Sequence, residues 1–114
     1  MRNYCFLISN RMDKKLISFV VPCYNEEENI MNTYDELSKL AVSLSGYDYE
    51  IIFVNNGSVD RSEDIIRGLA NKDEKVVAVL LSRNFGPETS CLAGQQYARG
   101  DAIVWVEADL QDPI

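Results

Sequence analysis

Four short apolar runs recur along the chain, LISFVVP (16–22), YEIIFVN (49–55), KVVAVLLS (75–82) and DAIVWVEA (101–108), and a helix-patterned stretch separates each from the next. This alternation constrains the fold more than any other feature. The runs are nearly continuous in apolar character, as strands buried on both faces must be. The linkers are short, so successive strands return to one sheet through helical crossovers, which are right-handed when the strands are parallel.

The stretches between the strands carry helical signals. In 25–44 the apolar residues Ile30, Tyr34, Leu37, Ala41 and Leu44 fall at helical spacing. Asn25 with Glu28 three residues later reads as a capping box, and Gly46 as the stop. Asp60 with Glu63 repeats the cap signal, and Ile65, Ile66 and Leu69 supply the apolar face of a short second helix. A third helix starts at Gly86, with Pro87 suited to its first turn, and Gly100 follows it. The expected class is α/β, a Rossmann-like parallel sheet in βαβαβαβ order. It occupies residues 16–114, preceded by a flexible extension over 1–15. MDKKLISFVVP, from Met12, reads as a natural beginning, with 1–11 as a misassigned start or a disordered extension.

Charge and composition exclude several functions. A formal net charge of −7 opposes nucleic-acid binding, which relies on Lys and Arg against phosphates. With no histidine in the chain, Ser-His and Cys-His dyads and imidazole metal sites are ruled out. Cys5, Cys23 and Cys91 are odd in number and lack C-x-x-C spacing, so they read as reduced packing thiols in a cytoplasmic protein. The patch Tyr4 to Ile8 is too short for a signal-peptide core, and no apolar run approaches the roughly 20 residues that span a bilayer.

Ligands of such sheets bind at the carboxyl ends of the strands. The unusual clusters all lie there: PCYNEE after the first strand, NNGSVD after the second, SRNFG after the third, EADLQD after the fourth. The first two alone read equally as turns and caps. In EADLQD, Glu107, Asp109 and Gln111 alternate, and in an extended segment their oxygens share one side. Neighbouring carboxylates repel unless a hard cation such as Mg²⁺ or Mn²⁺ joins them, often with substrate phosphates. Neither the G-x-G-x-x-G fingerprint nor a Walker lysine loop is present.

Taken in order, VVPCYNEEENI, EIIFVNNGSVD, LSRNFGPETSCLAG and ARGDAIVWVEADLQDP resemble the N-terminal half of a family-2 glycosyltransferase with the GT-A fold. SRNFG and ADLQDP are similar to the polyprenyl-phosphate branch of that family, the dolichyl- and bactoprenol-phosphate enzymes. The resemblance implies an inverting, metal-dependent transferase taking a UDP- or GDP-sugar to a polyprenyl phosphate at the cytoplasmic face of a membrane. It implies that Pro22, Tyr24, Asn25 and Glu26 line the base and ribose, together with Asn55, Asn56 and Ser58 of the second loop. Arg83 would face the diphosphate, with Asn84 near the donor. Glu107, Asp109 and Gln111 would hold Mg²⁺ or Mn²⁺. Two positions depart from the family pattern: Asn56 stands for the second acid of a usual Asp pair, and Glu107 for the first Asp of D-x-D.

The resemblance further implies the strand order 3-2-1-4. The fourth strand is then an edge, and self-association through it is expected. No catalytic base is assigned, and a truncated domain, inactive alone, is the expectation. Two other readings stay open. Asn56 and Glu107 suit a non-catalytic nucleotide-binding remnant. A phosphoacceptor receiver domain has similar alternation and acids after its first strand, but Ser82 stands where its third-strand Asp belongs and a fifth strand with its Lys is missing.

Overall fold

The computed structural model describes residues 15–108. Each apolar run becomes a strand and each periodic stretch a helix. The order is β1 (Lys15–Cys23), α1 (Ile30–Ser43), β2 (Tyr47–Asn56), α2 (Ser62–Lys72), β3 (Val76–Leu81), α3 (Pro87–Tyr97) and β4 (Ala102–Trp105). All pairings are parallel, and the sheet order is β3-β2-β1-β4.

Alternate residues of β1 and β2 face opposite layers, which sorts the core in two. Phe19, Val21, Cys23, Ile51 and Phe53 pack beneath Ile30, Leu37 and Ala41 of α1 and Ile66 and Leu69 of α2. On the reverse face Val20, Ile52, Val54 and Val79 pack with Ala93 of α3. Side chains of this size contribute about 1.5–3 kcal/mol each when fully buried. Gly94 lets α3 lie close to the sheet, since a Cβ there would stand 2.5 Å from a methyl of Val20 and 2.8 Å from one of Val54.

A charged group inside this framework holds β4 in place. Glu50 of β2 is buried, and its carboxylate accepts the Ser18 hydroxyl at 2.6 Å and the Arg99 N–H at 2.7 Å. Ser18 Oγ in turn accepts the Gly100 N–H at 2.9 Å. Asp101 adds two bonds to Leu16, one through each partner's backbone N–H. The turn entering β4 is thereby pinned to β1 and β2, although the four β4 residues are exposed.

Four local expectations change. β1 takes in Lys15, and residues 1–14 lie outside the described residues. α1 begins at Ile30 after Asn29, with no side-chain cap bond, so the Asn25–Glu28 capping box does not form. Residues 26–29 instead make a turn in which the Glu26 carbonyl accepts the N–H groups of Asn29 and Ile30. At α2, Asp60 Oδ1 does accept the Ser62 N–H at 2.9 Å, but Glu63 turns to Arg67 and Asn55 rather than back to Asp60. β4 also stops at Trp105, three residues before the end of its apolar run.

Candidate functional site

The loops after β1, β2, β3 and β4 converge at the carboxyl edge of the sheet around a cleft of about 500 Å³. Its geometry begins with the strand ends. Pro22 and Cys23 close β1, Asn56 closes β2, and Trp105 closes β4; all four line the cleft. Pro87 and Cys91 contribute a wall from the first turns of α3.

Hydrogen bonds stitch the first loop to the second. Asn25 adopts a left-handed φ of 54°, which Asn tolerates better than most residues. Its N–H donates to Ser58 Oγ at 2.9 Å, and its Oδ1 accepts the Val59 N–H at 2.9 Å. The Glu26 N–H donates to Ser62 Oγ at 2.9 Å. The Glu27 N–H reaches Asp60 Oδ2 at 3.2 Å, and Glu27 Oε1 accepts the Arg61 N–H at 3.1 Å. The result is a braced double loop whose inner side presents Tyr24 and Glu26 to the cleft. Glu26 is oriented by Asn29, whose Nδ2 donates to Oε1 at 2.9 Å.

The second and third loops meet through Gly57, which has φ +74° and lies so close to Arg83 that a Cβ would come within 2.3 Å of its carbonyl carbon. Asn56 then reaches across to Asn84, Phe85 and Gly86. Beyond β4, the Val106 N–H donates to the Val20 carbonyl at 3.0 Å, and the Ala108 carbonyl accepts the Thr33 hydroxyl at 2.6 Å. Glu107 is held between those two anchors, with its side chain exposed at the cleft lip.

The expected site residues therefore divide. Pro22, Tyr24, Glu26, Asn56 and Glu107 line the cleft. Asn25, Asn55, Ser58 and Arg83 do not line it. Asn55 is buried, with Oδ1 accepting the Ser58 N–H at 3.3 Å and Nδ2 directed to Glu63 at 3.5 Å. Arg83 is exposed and lays its guanidinium 4.7 Å from the centre of the Phe85 ring. Asp109 and Gln111 lie outside the described residues. Sequence reasoning did not single out Trp105, Pro87 or Cys91 as cleft residues; their places at a strand end and a helix start were the available signal.

Electrostatics discourage thiol chemistry here. Burial, then the charges of Glu26 and Asp60, push the Cys23 thiol well above its ordinary value, and burial also raises Cys91. Both thiols stay protonated near neutrality. Two carboxylates, Glu26 and Glu107, line the cleft, and Glu107 at the lip is an oxygen ligand of the type that hard divalent cations prefer. Among the described residues no group of three or more His, Cys, Asp or Glu side chains is placed to hold a metal ion. Glu107 fits such an ion as one ligand of a set, not as a complete site.

Comparison with known proteins agrees with this geometry. Residues 18–114 match the family model described as glycosyl transferase family 2. A prophage bactoprenol glucosyl transferase homolog of Escherichia coli K12 is 47% identical over 98 residues, covering 86% of this chain and 32% of the relative. The chain thus spans about a third of the curated relative's length. The mannosyltransferase PcManGT from Pyrobaculum calidifontis, solved with GDP-Man and Mn²⁺, superposes with a TM-score of 0.73 at 20% identity, over 85% of this chain and 28% of that one. S. aureus TarS in complex with UDP-GlcNAc gives 0.67 at 24% identity, over 82% and 26%. These two show that the fold is shared, and the parallel β3-β2-β1-β4 sheet is the N-terminal part of the GT-A arrangement. The chain belongs to glycosyl transferase family 2.

Proposed function

We propose that this chain is the nucleotide-sugar-binding part of an inverting, metal-dependent glycosyltransferase that transfers a sugar from a UDP- or GDP-sugar to a polyprenyl phosphate. The observation that carries the reading is the cleft where the loops after all four strands meet, with the backbone on either side of Glu107 anchored at its lip. The name of the bactoprenol glucosyl transferase homolog supports a polyprenyl acceptor. The GDP-Man and UDP-GlcNAc complexes of the two structural neighbours support a sugar nucleotide, and the Mn²⁺ in one supports a divalent cation.

In this reading the double loop receives the nucleoside. Pro22 and Tyr24 offer apolar surface and Glu26 a carboxylate that accepts hydroxyl or base N–H donors. Glu107, with Asp109 and Gln111, would hold Mg²⁺ or Mn²⁺, which when bound neutralises charge on the departing diphosphate. The chain's own part is to fix the donor against the sheet edge and to keep the leaving phosphates beside Glu107. Arg83 is the cation of the third loop, and here its guanidinium packs on the Phe85 ring outside the cleft lining, so it would have to turn to meet the phosphates. The acceptor is already an anion, so a strong base is less needed, and the chain contains no histidine to act as one. A lipid phosphate acceptor places the reaction at a membrane surface, on the cytoplasmic side. No helix among the described residues is long and apolar enough to cross a membrane.

Calorimetric titration of UDP and GDP, with Mg²⁺ or Mn²⁺ and with EDTA, tests the reading. Binding is expected only with the cation. Asp109→Ala should abolish it, and Glu107→Asp should preserve or improve it. Metal-independent binding of equal strength, or a tenfold loss in Glu107→Asp, about 1.4 kcal/mol, defeats the metal assignment. A non-catalytic remnant remains the second reading because Asn55 and Asn56 use their amides within the protein. Nucleotide binding by the full-length protein without sugar transfer would favour it.

A further inference from the structure

Asn56, the last residue of β2, is 4% exposed, and its amide holds three successive residues of the β3–α3 loop. Nδ2 donates to Asn84 Oδ1 at 3.0 Å and to the Gly86 carbonyl at 3.2 Å. Oδ1 accepts the Phe85 N–H at 3.0 Å. Asn84 Oδ1 also accepts the Gly86 N–H at 2.8 Å, at the residue that opens α3 with φ +91°. Asn56 and Asn84 both line the cleft. Asn84 and Phe85 are exposed, and the other contacts on the loop are the close approach of Gly57, the Arg83 guanidinium on the Phe85 ring and the Ser90 N–H on the Gly86 carbonyl.

This pattern requires a primary amide. Two donors and one acceptor are used at one side-chain tip, and a carboxylate offers acceptors alone. An Asp at this position would face two acceptor oxygens. Asn84 could turn its amide over to donate to that Asp, but its oxygen would then leave the Gly86 N–H. Either way a bond at the start of α3 is lost. The double acceptance by Asn84 Oδ1 also settles which end of that amide is used. The Asn84 Nδ2 group has no protein partner among the described residues.

We propose that Asn56 is a positioning residue: it fixes the 84–86 loop as a wall of the cleft and leaves the Asn84 Nδ2 group to donate to an oxygen of the nucleoside. The Asn56 carbonyl already accepts from Phe85, and both its amide protons are used within the protein. This rests on the proposed sugar-nucleotide reading for its ligand but not for its clasp. It gives a role to the Asn that stands where the family pattern has the second acid of an Asp pair.

The test uses the full-length protein and two variants. Hydrogen exchange of the segment 82–90, without ligand, should be at least tenfold faster in Asn56→Asp. UDP or GDP affinity, measured with Mn²⁺, should fall about tenfold in that variant. Asn84→Asp keeps both acceptor roles, so exchange should stay as in the parent while affinity falls by a similar factor. Asn56→Asp with unchanged exchange, or with equal or tighter nucleotide binding, overturns the proposal. If that variant does not fold, Asn84→Asp decides, and undiminished affinity overturns it. A parent protein that binds neither nucleotide defeats the sugar-nucleotide reading and the ligand half of this proposal together, whereas the exchange result still judges the clasp.

Discussion

Asp60 joins the two loops that floor the cleft, because its carboxylate takes N–H groups from Ser62 and Glu27. Burial alone would raise its pKa, but the hydroxyl and backbone bonds from Ser62 and Glu27 outweigh it and hold the carboxyl below its ordinary 3.8. A carboxyl depressed by folding contributes stability that is fully present above the unfolded value and is lost as pH falls through the folded one. The stability gap between the parent and Asp60→Asn should therefore be widest near neutrality and close below about pH 4. Urea unfolding at a series of acidic pH values measures this, and a gap independent of pH would refute it. Gly57→Ala is expected to be severe, since it combines a left-handed φ of +74° with a Cβ 2.3 Å from the Arg83 backbone. A loss of at least about 1–3 kcal/mol should appear in denaturant unfolding. At this scale the sequence was only partly readable. Asn25, Ser58 and Asp60 were visible as turn formers, but the same side chains could cap a local helix or brace a neighbouring loop. The choice depends on residues 33 or 34 positions away, as with Asn25 and Val59.

The elements themselves were legible because period and apolar length are local properties. The strand runs, the helix of residues 30–43 and Pro87 at the first position of α3 all follow from them. Glu50 shows where that legibility stops. Within YEIIFVN it looks like a charge near a strand's exposed end, yet it is buried and bonded to Arg99, 49 residues later. Truncation as Glu50→Ala leaves the Ser18 hydroxyl and the Arg99 N–H without their acceptor. Ser18 is fully buried, and an orphaned buried hydroxyl costs about 1–3 kcal/mol. We expect a loss in that range or above, with faster exchange of the β4 amides than of those in β2 and β3. Uniform exchange across the sheet would show that Glu50 does not serve β4 in particular. The fold of β4 past Trp105 was also beyond local signals, because the Thr33 bond to Ala108 spans 75 residues.

For the whole molecule, strand order and the place of the site came from the family resemblance and the parallel topology, whereas the cleft's walls needed tertiary contacts. Two of the three proposed metal ligands, Asp109 and Gln111, remain outside the described residues. Ile103, Val104 and Trp105 are 39%, 42% and 57% exposed, and β1 is the strand paired with β4 among the described residues. We propose that residues 1–114 self-associate through this edge, since unpaired apolar edges recruit other strands. Light scattering after size exclusion should show mass rising with concentration, and Val104→Lys should suppress it; a monomer at every concentration would count against the proposal. The sheet order has a further effect, on timing. β1 meets β2 across 32 residues, as in the Ser18–Glu50 bond, but its other neighbour lies 85 residues away, as in Leu16–Asp101. By loop-closure entropy alone the longer closure costs about 0.9 kcal/mol more. During synthesis β1 must wait for β4, so one of its sides stays open until about residue 105 has left the ribosome. The β2–β1 half can form early, while the wall that carries Glu107 follows the other three described strands. Nascent chains from which β4 has not yet emerged leave that side of β1 open, and the ligand cleft forms only once β4 and Glu107 are in place.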